Sequence, residues 1–327
     1  MTGLGFDRER VRSIAKAYDN KLLDIYDKYT EMLASYGIFG NPNYVFRFED
    51  VLPDAQVRDI FRNLQSELYG HIEEGINREW GYANAKNDII TLKYLQGIDS
   101  PKIDKIRDKL FDRNYKALEA FKKRKRYGHT LSNRVWRLTK KFKLDTEVAI
   151  QDILREGLAD GTSASELARE LKKHLREPDR LFRKVREADG GLRLSKQAKS
   201  YNPGSGVYRS SYQNALRLAR TEVNQAYRYA DVQRIQNLDF VVGIEIKRSN
   251  TYYDCDICEN LKGRYPKDFE FVGWHPNCRC SVSTILATRE EFINYLETGE
   301  LKSKNEITRY PKDYKGYRKD YISAYTK

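Results

Sequence analysis

The sequence predicts a mainly α protein, with an elongated helical N-terminal region followed by a small α+β module that carries a Cys/His cluster. Three observations lead there. Apolar residues recur at three- and four-residue intervals through most of the 327-residue chain. Strand-like alternation appears late, at 241–247, where Ile244 and Ile246 alternate with Glu245 and Lys247. All four cysteines and one histidine then fall in a single window, Cys255-Asp256-Ile257-Cys258 and His275-Pro276-Asn277-Cys278-Arg279-Cys280.

From 7 to 36, Val11, Ile14, Tyr18, Leu22, Ile25, Tyr29 and Leu33 define one face of a long helix that Gly37 should stop. A short crossing with Val45, Phe46 and Phe48 reads as extended. A second helix is expected over 53–80, on Val57, Ile60, Phe61, Leu64 and Leu68, and a third over 83–95. Ser100 before Pro101 marks another start, because the hydroxyl caps free amides and proline suits the first turn. That helix is expected to run through Ile103, Ile106, Leu110, Tyr115 and Leu118 into the basic string 122–126. Helical periodicity covers 144–159, turns at Asp160-Gly161 and resumes behind a capping box of Ser163 and Glu166.

The Gly/Pro-punctuated stretch 189–206 reads as the main linker. A helix over 210–237 follows, with Tyr212, Leu216, Ala219, Val223, Ala226 and Ala230 on one stripe. In the cysteine module Phe269, Phe271, Val272 and Trp274 offer an apolar floor, and 281–286 a closing strand. The tail, 300–327, mixes Lys/Arg with Tyr310, Tyr314, Tyr317, Tyr321 and Tyr325, which suits a short helix, a peripheral arm or a peptide that orders on a partner. Four regions result: helical 1–128, a helical middle with the basic segment and linker at 129–200, the cysteine-bearing domain at 201–290, and a basic Tyr-rich tail at 291–327.

Charged residues make up 33% of the chain and the formal net charge is +13, a balance that favours polyanionic partners. The excess is concentrated between 122 and 143, where ten Lys or Arg occur with no Asp or Glu. Lys122, Lys123, Arg124, Lys125, Arg126, Arg134, Arg137, Lys140 and Lys141 are the candidate nucleic-acid contacts, interleaved with Tyr127, Trp136 and Phe142. Such a run neutralises phosphates without reading sequence, so its binding should weaken steeply with salt. A solvated face or a dock for an acidic protein is the plainer reading of the same residues. No apolar run reaches the roughly 20 residues of a membrane span, and the first residues lack a secretory core, so synthesis in the cytoplasm and no membrane partner are expected.

Cys-x-x-Cys lets two thiolates grip one ion from a tight turn, and a second group about 15 to 20 residues on closes a tetrahedral site. Five donors compete for four places. Cys255, Cys258 and Cys278 come first, with His275 preferred over Cys280 because neighbouring Cys-x-Cys thiolates are less often both used. Free thiols, or two disulfides in an oxidising compartment, are the alternatives. The expected cofactor is a structural zinc, since a cysteine-rich set closes around its ion whereas a catalytic one keeps an open position.

Ala219-Arg220-Thr221-Glu222-Val223-Asn224, Cys255-x-x-Cys258 with Gly263, and His275-Pro276-Asn277-Cys278-Arg279-Cys280 together resemble the phage head morphogenesis family named for the F protein of bacteriophage Mu. The resemblance spans about 195–285, with 131–178 similar to the helical region that leads into that domain. It implies a non-enzymatic minor head protein of a tailed phage. Such a protein would sit in the virion near the portal, assist capsid assembly with portal and other head proteins, and contact packaged double-stranded DNA. Arg220 and Glu222 lie two positions apart on their helix and cannot pair directly. Each is expected to tie the helix to the cysteine loop, Arg220 through backbone carbonyls or Asp254, while Thr221 bonds back to its own helix.

Domains of this kind are also joined to ADP-ribosyltransferases, which need a Glu-x-Glu or Gln-x-Glu pair. Glu-x-Glu is absent here, and the one Gln-x-Glu, Gln65 to Glu67, lies in an early amphipathic helix. A cysteine nucleophile beside His275 is the other enzymatic reading. A free DNA-binding regulator would need a recognition helix and a dimer seam, and neither stands out.

Overall fold

The computed structural model describes residues 3–40, 44–126, 128–153, 163–176, 184–186, 192–194, 210–248, 255–275 and 278–314. It is mainly helical with a small antiparallel sheet late in the chain, as the periodicity predicts. The chain forms two compact units, neither continuous in sequence.

One unit comprises Ala17–Ile72 and His129–Ala219. Its core joins Leu22, Tyr26, Tyr29 and Leu33 of helix α1 (Gly3–Gly37) to Leu64 and Leu68 of α2 (Asp54–Leu95) and to Phe142 and Ile150 of α5 (Leu131–Ile153). Gly37 closes α1 from inside the helix, and its missing side chain leaves room for Leu167, whose methyl would stand 2.8 Å from an added Cβ. The crossing read as extended instead ends in a 3-10 turn, Phe48–Asp50. Side chains of α5 satisfy its amides, since Phe46 N donates to Gln151 Oε1 at 2.6 Å and Phe48 N to Glu147 Oε1 at 3.1 Å. Helix α6 (Ala164–Arg176) starts at the expected capping box, Glu166 N donating to Ser163 Oγ at 3.3 Å and Ser163 N to Glu166 Oε2 at 2.9 Å. Strands β1 (Lys184–Arg186) and β2 (Leu192–Leu194) pair antiparallel, so part of the stretch read as linker is a ladder. The remainder of that linker, 189–191 and 195–206, lies outside the described residues.

The other unit comprises Met1–Lys16, Glu73–Gly128 and Arg220–Lys327. Two expected helices prove to be one, because α2 runs unbroken through exposed Gly81. A helical glycine costs about 1 kcal/mol against alanine, which burial of Trp80 and Ala83 on either side outweighs. The reverse holds after Ser100. The cap and Pro101 begin α3 (Pro101–Phe111) as expected, but the helix stops and α4 (Tyr115–Lys123) starts anew. Asn114 explains the break. It sits in the left-handed region at φ 44°, a conformation asparagine tolerates, and its side chain accepts from Ala117 N at 3.1 Å to cap α4.

Helix α7 (Ser211–Asn237) leads into the three-stranded sheet. Its order is β4 (Gly263–Tyr265), β3 (Val241–Lys247), β5 (Ser281–Leu286), both pairings antiparallel. The short helix α8 (Asp256–Asn260) lies between β3 and β4, and α9 (Arg289–Thr298) follows β5 and buries Phe292. The expected division between 290 and 291 thus falls within a helix of the module.

The beginning of the tail is a strap on this sheet. A bulge between Val241 and Gly243 interrupts the β3–β5 register, and Ile307 N donates to the Val242 carbonyl there at 3.0 Å. Ile307 also covers Gly243, where an added Cβ would meet its Cγ1 at 2.6 Å and its Cβ at 2.9 Å. Tyr310 and Tyr314 stack with centroids 5.0 Å apart and pack on Tyr265 and Phe269. Tyr317, Tyr321 and Tyr325 lie outside the described residues.

Because the Ile307 Cβ cannot swing away, Gly243→Ala should destabilise this unit by about 1–3 kcal/mol. Adding Ile307→Ala should return part of that loss, measured as a urea midpoint. Equal stability of the Gly243→Ala protein and the parent would mean that the strap does not press on the sheet.

Candidate metal centre

Two turns at one end of the sheet carry the five donors. Cys255 is the N-cap of α8, and Cys258 follows within its single turn, so the C-x-x-C spacing aims both sulfurs into one space. The second turn follows Gly273 at φ +108° and is closed by Cys278 N donating to the His275 carbonyl at 3.1 Å. It delivers His275, Cys278 and Cys280 directly before β5.

His275 Nε2 lies 3.3 Å from Cys255 Sγ and 3.2 Å from Cys258 Sγ, and Cys258 Sγ lies 3.9 Å from Cys278 Sγ. The donors form two overlapping triads, Cys255/Cys258/His275 and Cys258/Cys278/Cys280, each with its ligand atoms within 4.8 Å of one another. An ion with metal–sulfur bonds of about 2.3 Å and metal–nitrogen bonds of about 2.0 Å has tetrahedral edges of about 3.8 Å between sulfurs and about 3.5 Å from sulfur to nitrogen. These three separations fit those edges, and Cys258 belongs to both triads, so the cluster is able to hold a metal ion, although no four of the donors all lie within 4.8 Å of one another. All four cysteines are free, and a disulfide would bring its sulfurs to about 2.0 Å.

The thiols already share charge. Hydrogen bonds from Cys258 and Cys280 hold the Cys278 thiol far below its ordinary range against the cost of burial, with the Arg228 charge adding to the effect. Hydrogen bonding to Cys278 and Cys280, then burial, pushes Cys258 well up. For Cys280 the bond with Cys258 is outweighed by the bond to Cys278 and by burial, which together raise it to about 12. A metal ion displaces thiol protons on binding, because the ligating form of cysteine is the thiolate.

Arg228 of α7, which the sequence did not single out, is buried against this loop. Its Nη2 donates to the carbonyls of Cys278 at 2.7 Å and Cys280 at 3.1 Å, and Nη1 to Val272 at 3.4 Å. The guanidinium also lies over the Phe271 ring, 5.1 Å from its centroid. A signal was present. Arg228, Asp231 and Arg234 recur every third residue between apolar positions of one helix, too many charges for a face that must be covered.

In the Arg-Thr-Glu triplet Glu222 is fully buried and reaches the basic segment. Arg124 Nη2 donates to its Oε2 at 2.8 Å, and Arg126 Nη1 lies 3.7 Å from Oε1. Thr221 is buried and Arg220 half-buried, while Asp254, the expected partner of Arg220, lies outside the described residues.

The basic run is therefore divided by backbone geometry. Past α4 the chain is extended, so alternate side chains point to opposite sides. Arg124 and Arg126 turn inward to Glu222, and Lys122 pairs with Glu119 at 2.9 Å, whereas Lys123 and Lys125 are exposed. In the other unit Arg137 and Lys140 are exposed on α5, Lys141 pairs with Asp145 at 3.0 Å, and Arg134 is half-buried. Tyr127 lies outside the described residues. Four of the nine candidate cations thus face solvent, namely Lys123, Lys125, Arg137 and Lys140.

No protein-family model, curated protein or solved structure matches the chain. Among the described residues no helix is long and apolar enough to cross a membrane.

Glu222→Ala removes the carboxylate that the Arg124 and Arg126 guanidinium groups share and should cost about 2 kcal/mol. The double change Lys123→Gln/Lys125→Gln should leave the urea midpoint unchanged. If both variants unfold alike, the division of the basic run into inward and outward residues is wrong.

Proposed function

We propose that the chain is a minor structural component of a tailed-phage head, acting without catalysis at or near the portal and contacting packaged double-stranded DNA independently of sequence. The observation that carries this reading is the meeting of the two motif halves on which the family resemblance rests. Helix α7, which bears Arg220-Thr221-Glu222, continues to Arg228, and Arg228 holds the carbonyls of the Cys278–Cys280 turn. The exposed cations Lys123, Lys125, Arg137 and Lys140 supply phosphate contacts, in keeping with the net charge of +13. Counting copies by mass spectrometry of purified virions tests the proposal. A few copies per particle are expected, and absence from particles would refute it.

The ion is zinc in this reading, because thiolates with an imidazole select it and a closed donor set serves as a staple. Cys255, Cys258 and Cys278 hold it, with His275 as the preferred fourth ligand over Cys280. The bound ion ties the α8 turn to the turn before β5. Elemental analysis should find one zinc per chain, and removal by a strong chelator should lower the melting temperature. A zinc-free protein whose melting ignores the chelator would remove the staple from the proposal.

A further inference from the structure

A buried guanidinium is costly unless its charge is answered, and Arg228 is 6% exposed. Its side-chain partners are three carbonyl oxygens and the face of Phe271. Among the described residues no carboxylate pairs with it, in contrast to Arg234 on the same helix, which meets Asp88 at 2.8 Å. Asp231, one turn along α7, is engaged by Lys86 at 2.7 Å and by Asn87 at 2.7 Å. Among the described residues the group that remains to balance Arg228 is the sulfur cluster, two of whose residues lend it their carbonyls.

Space around the guanidinium points the same way. At Gly273 an added Cβ would stand 2.2 Å from Arg228 Nη1, and φ there is +108°, so this glycine both turns the chain and makes room for the cation. The turn that carries His275 is thus shaped around Arg228.

We infer that Arg228 is a positioning residue of the metal centre: its fork fixes the Cys278–Cys280 turn through two carbonyls, and its charge offsets the net negative charge of a thiolate-bound ion. This rests on the reading that the cluster binds a metal. A divalent ion with three thiolates and an imidazole carries one negative charge, and with four thiolates two. In a dry setting a fixed cation beside such a centre stabilises the loaded form over the empty one.

The test uses the full chain, with cobalt(II) as the spectroscopic probe and zinc measured in competition with a chromophoric chelator. Arg228→Met should bind both ions about 10–100-fold more weakly, the range found for groups that support metal ligands. Its cobalt ligand-field bands should shift, a change that loss of packing away from the site would not produce. Arg228→Lys, which keeps the charge but not the fork, should recover part of the affinity. Unchanged affinity and unchanged bands in a folded Arg228→Met protein would overturn the inference. Should that variant fail to fold, Arg228→Lys decides alone, a loss of about tenfold supporting the inference and parental affinity overturning it. If the parent protein binds neither ion, the metal reading itself fails, and the inference falls with it.

Discussion

Charge buried on α7 must be answered by whatever packs against that helix, and this requirement organises the unit that contains the cluster. Glu222, Arg228, Asp231 and Arg234 are all nearly or fully buried. Each selects a different neighbour: the extended basic segment, the cysteine turn, Lys86 and Asn87 of α2, and Asp88 with the Leu110 carbonyl at the end of α3. An apolar helix of the same length would accept several registers, whereas fixed charges with fixed partners accept few. Residues far apart in the chain are in this way drawn to one helix.

The same requirement changes how the basic run is understood. Ten cations without an acid between 122 and 143 look in sequence like one polyanion-binding surface. Half-extended backbone and a carboxylate 98 residues away in sequence turn Arg124 into an internal brace. Arginine suits that post, since its fork donates to Glu222, to Gln225 and to the Phe121 carbonyl while its plane lies 3.4 Å over the Phe121 ring. The lysines between take the solvent side, where a point charge on a flexible stem is adequate.

What could be read from the sequence was local. The cysteine window was legible because ligands of one ion need short spacing, and the caps at Ser100 and Ser163 because capping is settled within four residues. The strand at 241–247 was legible from its alternation, which the sheet keeps with Ile244 and Ile246 buried. Helix continuity was not. The gap expected between the helices at 53–80 and 83–95 is none, whereas Asn114, expected within a helix, is a break, because packing around Trp80 and the donation from Trp80 Nε1 to the Arg113 carbonyl at 2.8 Å decide both. The partners of Glu222 and Arg228 were hidden for the same reason, since they lie about 100 and 50 residues away and spacing along one helix cannot name them.

The strap over β3 bears on how the polypeptide is made. Ile307 and the stacked tyrosines leave the ribosome after every residue they cover, so the Val242 carbonyl and the aromatic floor remain open while synthesis passes through them. A nascent chain halted before residue 307 would present a bulged strand without its last donor, a surface that invites chaperones or a neighbouring chain.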